Sequence, residues 1–247
     1  MKNMKKKYDE RIINEIRHSD YLLKKGAGNI WNWESAAGKI RWQRRVKLLC
    51  EKLKENWQVL ELGCGTGYFT KELAKTNCKV IAVDIAFNLI KEAKKIINKK
   101  NIYFVIDNAY QMNFKNKSFN AVIGSSVLHH LIIDEALREI YRVLKPNGII
   151  VFTEPNMLNP QIFLQKNIPY LKKMLGDSPD ETAFIKWSLK KKLEKYGFKN
   201  ISIVPFDFLH PAIPEYFINY CQKLSNILEK IPLIKEIAGS IFIYAEK

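Results

Sequence analysis

The amino-acid sequence predicts an α/β domain built on a doubly wound, mostly parallel sheet. Between residues 57 and 154, five short Val/Ile-rich runs alternate with amphipathic runs, and the first apolar run ends in a glycine-rich turn, "ELGCGTG". Strands buried on both faces read as continuous apolar runs, and helices between them supply the cover. A length of 247 residues suits one such domain with additions.

The elements follow in order. "WQVLEL" reads as the first strand, and "TGYFTKELAKT" has helical spacing at Phe69, Leu73 and Ala74. "CKVIAVDI" is a second strand, followed by the amphipathic "AFNLIKEAKKIINKK". "NIYFVIDN" and "FNAVIGSS" are the third and fourth strands. "DEALREIYRVLK" is a helix stopped by Pro146 and Gly148, and "GIIVFTE" is the fifth strand. The rhythm breaks at 155–187, where Pro155, Pro160, Pro169 and Pro179 fall among apolar residues. It resumes with the helix "SLKKKLEKYGF" and the strand "NISIVPFDF", breaks again over 209–236, and closes on the strand "SIFIYAEK".

These seven strands imply a single domain over 1–247. A helical cap spans 1–45, with an aromatic cluster at Trp31, Trp33 and Trp42. Residues 46–154 form the ligand-binding half, 155–187 and 209–236 are insertions, and 188–208 and 237–247 complete the core.

The formal net charge is +16, with 34 lysines among the 41 basic residues. Nucleic-acid readers lean on arginine for its planar fork, whereas these lysines lie along helix faces such as "KEAKKIINKK". A solvated lysine-rich surface is favoured over a nucleic-acid groove; attraction to an anionic substrate or membrane surface stays open. Cys50, Cys64, Cys78 and Cys221 have no metal-ligand spacing, and no metal is expected. No apolar run of membrane-spanning length occurs. The basic start, "MKNMKKKYDERI", lacks the apolar run of a signal peptide, so a cytoplasmic location, with peripheral contact at the inner membrane surface as an extension, is the expectation.

The glycine turn stands where the first strand ends, the place at which open parallel sheets bind ligands. Glycine permits positive φ and lets a ligand lie on the main chain. Gly63, Gly65 and Gly67 give G-x-G-x-G, neither the G-x-G-x-x-G of a dinucleotide site nor a P-loop with its lysine. Asp84 closes the second strand 17 residues after Gly67 and is suited to a ribose diol. A nucleoside with a compact second half fits this pattern.

These residues resemble the class I S-adenosylmethionine-dependent methyltransferases. "VLELGCGTG" resembles their first motif, "VIAVDI" the ribose-binding one and "NAYQMNF" the adenine loop, while "SFNAVIGSSVLHHL" and "LKPNGIIVFTEPN" resemble their fourth and fifth strands. The resemblance implies S-adenosylmethionine as cofactor and S-adenosylhomocysteine as product. Glu61 would face the methionine end, and Gly63, Cys64, Gly65 and Gly67 would floor the site. Asp84 would hold the ribose, Ile85 would pack on the adenine, and Asn108 and Ala109 would meet the adenine edge. The family often has Asp where Asn108 stands, and an amide oxygen still accepts a hydrogen bond there. Ser125 would lie near the sulfonium.

Methyl transfer to a hydroxyl needs alignment and removal of a proton. "LHHL" and "FTEPN" place His129, His130 and Glu154 at the ends of neighbouring strands. His129 is expected to act as base with Glu154 as its partner, and His130 to pack at the substrate side. Trp31, Trp33 and Arg41 are candidates for lining the acceptor pocket, the two insertions for roofing it or resting on a membrane through Lys166, Lys172 and Lys173. The expected acceptor is a small or carrier-linked molecule, methylated on oxygen: a sugar, glycan lipid or secondary metabolite. Two alternatives remain: an RNA-modifying methyltransferase, and a non-catalytic protein that binds S-adenosylmethionine to regulate. The [DN]-P-P-[YFW] signature of base-amino methyltransferases is missing after the fourth strand, where "GSSV" stands.

Overall fold

The structure is a computed structural model that describes residues 2–26 and 32–247. Trp31, expected at the acceptor pocket, lies outside the described residues. Helix α1 (Lys2–Lys25) and helix α2 (Ala36–Cys50) precede a seven-stranded sheet. Its strands are β1 (Gln58–Leu62), β2 (Lys79–Asp84), β3 (Ile102–Ile106), β4 (Phe119–Ser125), β5 (Leu144–Pro155), β6 (Lys199–Phe206) and β7 (Ser240–Glu246). Their spatial order is β3-β2-β1-β4-β5-β7-β6. β1 to β5 pair in parallel, and β7 runs antiparallel between β5 and β6. The order reverses at β1 and β4, which opens a crevice at their carboxyl ends.

Alternate side chains leave each strand on opposite faces. Leu60, Val122 and Ile150 enter one core with α5 (Ile133–Val143) and α8 (Lys186–Lys195); Val59, Ile123 and Val151 enter the other with α2. Strands buried this way must be apolar at every position, which is why the runs were visible.

The helix expected over "TGYFTKELAKT" is cut to one turn, α3 (Thr70–Leu73). The Thr76 hydroxyl donates to the Leu73 carbonyl at 2.7 Å, a side-chain bond that competes with the helical ladder. Helix α4 (Phe87–Ile96) follows β2. The first insertion carries α6 (Pro160–Asn167) and α7 (Pro169–Met174), the second α9 (Ile218–Leu228). Both lie at the carboxyl edge of the sheet: α6 follows the end of β5, and α9 lies between the end of β6 and the start of β7. Among the described residues, no helix is long and apolar enough to cross a membrane.

Candidate active site

β1 delivers the chain to Gly63 (φ +64°) and Gly65 (φ +53°), both in the left-handed region that side chains avoid. The two glycines serve different needs. A Cβ on Gly63 would come 2.3 Å from Val127 Cγ2, so that glycine lets the loop after β4 pack close. A Cβ on Gly65 would meet nothing within 4 Å, so its bare backbone faces open space. Asp84 anchors the turn: Oδ2 accepts from the Gly65 amide and Oδ1 from the Ala86 amide, each at 2.9 Å. Burial raises the Asp84 pKa, and those two amides work against the rise.

A cavity of about 250 Å³ opens over this turn. Gly63, Cys64, Gly65, Asp84, Ile85, Asn108, Ala109 and Ser125 all line it; Gly67, expected with them, does not, because it turns against Ile97 and Ala93, where a Cβ would come 2.7 Å from Ile97 Cδ1. Asn108 Oδ1 accepts from the Tyr110 amide at 2.9 Å, which shapes the loop and leaves the side-chain NH₂ to donate. Asp107, not singled out in the sequence, also lines the cavity; it is largely buried and accepts from the Asn113 amide at 2.9 Å. Glu61 does not reach the cavity wall. It is buried, its Oε2 has no hydrogen-bond partner, and burial together with the nearby Asp84 charge pushes its pKa up to about 8.

Helix α1, and not the two insertions expected there, roofs the cavity with Arg11, Ile12, Glu15, His18, Ser19 and Leu22; no residue of 155–187 or 209–236 lines it. Its role escaped the sequence reading, although Arg11, Glu15, His18 and Leu22 recur at the three- and four-residue steps of one helix face. Arg11 clamps the helix down, donating to the carbonyls of His130 at 2.5 Å, Asp180 at 2.8 Å and His129 at 3.2 Å.

The two histidines part company. The 3-10 turn Leu128–His130 sends His129 inward, buried and away from the cavity wall. Its Nδ1 is 2.6 Å from Glu154 Oε2 and its Nε2 3.1 Å from Glu181 Oε1, so both ring nitrogens face carboxylates. Burial opposes a charge on this ring, but the two carboxylates outweigh it and push the pKa up to about 9. Neither nitrogen is left to take a substrate proton, contrary to the base role expected for His129. Glu154 also misses the cavity: its Oε1 accepts from the Val127 and Leu128 amides at 3.0 and 2.8 Å and so holds the turn in place. His130 does line the cavity. Its Nδ1 stands 3.0 Å from Glu15 Oε2, within ion-pair distance though poorly aligned for a hydrogen bond.

Trp33 lines the cavity, as do Trp42, Tyr68 and Phe69. Arg41 does not; its Nε donates to Asp207 at 2.8 Å, and the guanidinium lies 5.5 Å from the Trp33 ring centre. His129, His130 and Glu181 bring ligating atoms within 4.8 Å of one another. Lys166 Nζ already stands 2.8 Å from Glu181 Oε1, so the cluster's negative charge is met by side-chain cations.

The methyltransferase-domain family model matches residues 60–152. The demethylmenaquinone methyltransferase of Lactobacillus johnsonii is 33% identical over 185 residues, covering 66% of this chain and 76% of that protein. An uncharacterized protein of Methanocaldococcus jannaschii is 37% identical over 123 residues, covering 49% of this chain but only 46% of its own length. A methyltransferase structure from Archaeoglobus fulgidus shares the fold at a TM-score of 0.62 and 21% identity, covering 92% of this chain and 99% of that one. The chain belongs to the class I S-adenosylmethionine-dependent methyltransferases. Its residues fit that cofactor: a glycine backbone open on its ligand side and a carboxylate at the end of β2.

Proposed function

We propose that this methyltransferase acts on an oxygen of a small, largely apolar acceptor, with His130 taking the proton. When bound, S-adenosylmethionine supplies an electrophilic methyl group on its sulfonium. Gly63, Cys64, Gly65, Asp84, Ile85, Asn108, Ala109 and Ser125 would hold it. One observation carries the acceptor reading: the cavity is lined mostly by apolar atoms, with the rings of Trp33, Trp42, Tyr68 and Phe69 in its wall. A ring-bearing hydroxyl compound suits that wall better than a sugar, whose many hydroxyls need polar partners. The name of the demethylmenaquinone methyltransferase relatives supports a small apolar ring-bearing acceptor, and does not bear on the choice of oxygen as the methylated atom. The lining contains Arg11 but no lysine, which speaks against an RNA groove leading into the site.

His130 would accept the hydroxyl proton on Nε2, which stands 3.9 Å from Glu181 Oε1, beyond hydrogen-bond distance, and Glu15 would steady the resulting imidazolium. His129 and Glu154 would act as positioning residues that fix the turn carrying His130.

Incubation with methyl-labelled cofactor and pooled acceptors tests the reading. Label is expected in hydroxylated aromatic compounds; label confined to sugars or to RNA overturns it.

A further inference from the structure

The two insertions build an apolar surface that no part of the described chain covers. Helices α6 and α7 bury none of their residues, and neither do the 3-10 turns at Glu215–Phe217 and Ile234–Ile237. Helix α9 buries only Ile218 and Ser225. Large apolar side chains stand in water instead: Tyr170 is 74% exposed, Tyr216 79%, Tyr220 69% and Leu233 84%, with Phe163 and Met174 each more than half exposed. Scattered exposed apolar residues are ordinary, but a concentration in adjacent segments marks a contact surface.

The segments are adjacent. Asn159 at the start of α6 donates to the Ile237 carbonyl at 2.8 Å, and Asn156 donates to those of Glu236 and Ala238 at 2.8 Å each. This joins the first insertion to the turn that ends the second.

Charge selects the occupant. Residues 159–176 contain three lysines and no acidic residue. In the second insertion Lys223 and Lys230 are exposed, while Glu229 is held by Arg44 at 2.5 Å and Glu236 by Lys186 at 2.6 Å, so that Glu215 is the one exposed carboxylate set against the two lysines. Lys166 is excluded from this role, because it turns inward to Asp177 and Glu181 at 2.8 Å. Lys173, Lys223 and Lys230 remain as outward cations. Apolar side chains interleaved with unpaired lysines suit a surface of hydrocarbon beneath anionic head groups.

We propose that the two insertions dock this enzyme on an anionic lipid bilayer. The docking face shares the carboxyl edge of the sheet with the cavity, which would hold the enzyme's ligand-binding edge toward the bilayer. The proposal is independent of the acceptor's identity, because it is read from binding alone.

The test is co-sedimentation of the whole protein with vesicles of phosphatidylcholine, with and without phosphatidylglycerol. Binding is expected only with phosphatidylglycerol, weakening with salt. Exchanging Lys173, Lys223 and Lys230 for Gln should weaken it about fivefold per lysine. Tyr170→Ser, Tyr220→Ser and Leu233→Ser together should abolish it, while calorimetric uptake of S-adenosylhomocysteine, which reports the fold, stays unchanged. No binding to either vesicle, or binding insensitive to the triple apolar variant, overturns the proposal. So does a concentration-dependent dimer that the same variant dissolves, since a second copy would then be the occupant.

Discussion

His129 Nδ1 stands 2.6 Å from Glu154 Oε2, and neither residue of the pair lines the candidate cofactor cavity. The imidazole is a buried cation between two carboxylates, and its pKa of about 9 lies above the unfolded value of 6.5. The native state therefore holds a proton that the unfolded chain releases between those values. The stabilisation is complete below pH 6.5 and is lost as pH rises through about 9, a fall on the order of 3 kcal/mol. Urea unfolding across this window checks it. His129→Gln should flatten the fall.

Removing Glu154 should cost more than removing a surface carboxylate. It leaves the His129 charge half-matched and strips the Val127 and Leu128 amides of their acceptor. Breaking a buried pair from one side costs about 3–5 kcal/mol. Glu154→Ala should lose that much in denaturant midpoint experiments, and Glu154→Gln less, since its amide oxygen still serves the backbone.

What the sequence shows of this molecule depends on how local the cause is. The central strands β1, β4 and β5 were readable because burial on both faces leaves them nearly continuous apolar runs, and the edge strands β3 and β6, with Tyr103, Ile106 and Val204 exposed, because β-branched and aromatic residues still mark them. The glycine turn and Asp84 were readable because special backbone and a strand-end acid leave fixed letters. The choice between His129 and His130 was not. In a 3-10 turn one residue's step sends a side chain from core to cavity, and the partner that holds His129 inward, Glu181, lies 52 residues away in a proline-broken segment. Helix α1 displays its cavity face in its spacing, but nothing in that spacing says what the face covers.

Glu61 yields a prediction about protons rather than rate. With its pKa pushed up to about 8, it is mostly protonated near neutrality. A cofactor cation arriving nearby favours the carboxylate and expels that proton. Calorimetry in buffers of different ionisation enthalpy should show release of up to about one proton per S-adenosylmethionine bound at pH 7. Release should vanish in Glu61→Gln.

Gly63→Ala and Gly65→Ala should fail in different ways. Alanine at Gly63 drives a methyl group into Val127 and should unfold or badly destabilise the chain. Alanine at Gly65 costs about 1–2 kcal/mol of backbone strain, yet its methyl projects into the space kept for the cofactor. The second variant should stay folded and lose cofactor affinity, a separation that circular dichroism and calorimetry together reveal.

His130 and Glu15 belong to segments 115 residues apart, and their meeting at 3.0 Å depends on α1 lying across the cavity. If His130 takes the proton, His130→Gln should lower kcat about 10²–10⁴-fold, the usual worth of a general base. Affinity for S-adenosylhomocysteine should hold, because the turn and Asp84 are untouched. Glu15→Gln should weaken the same step less, since it leaves the ring in place and removes only the group facing its Nδ1. The two substitutions made together should cost little more than His130→Gln alone, because Glu15 acts through the ring. A double variant whose losses simply add, measured under saturating acceptor, would instead assign the residues separate tasks.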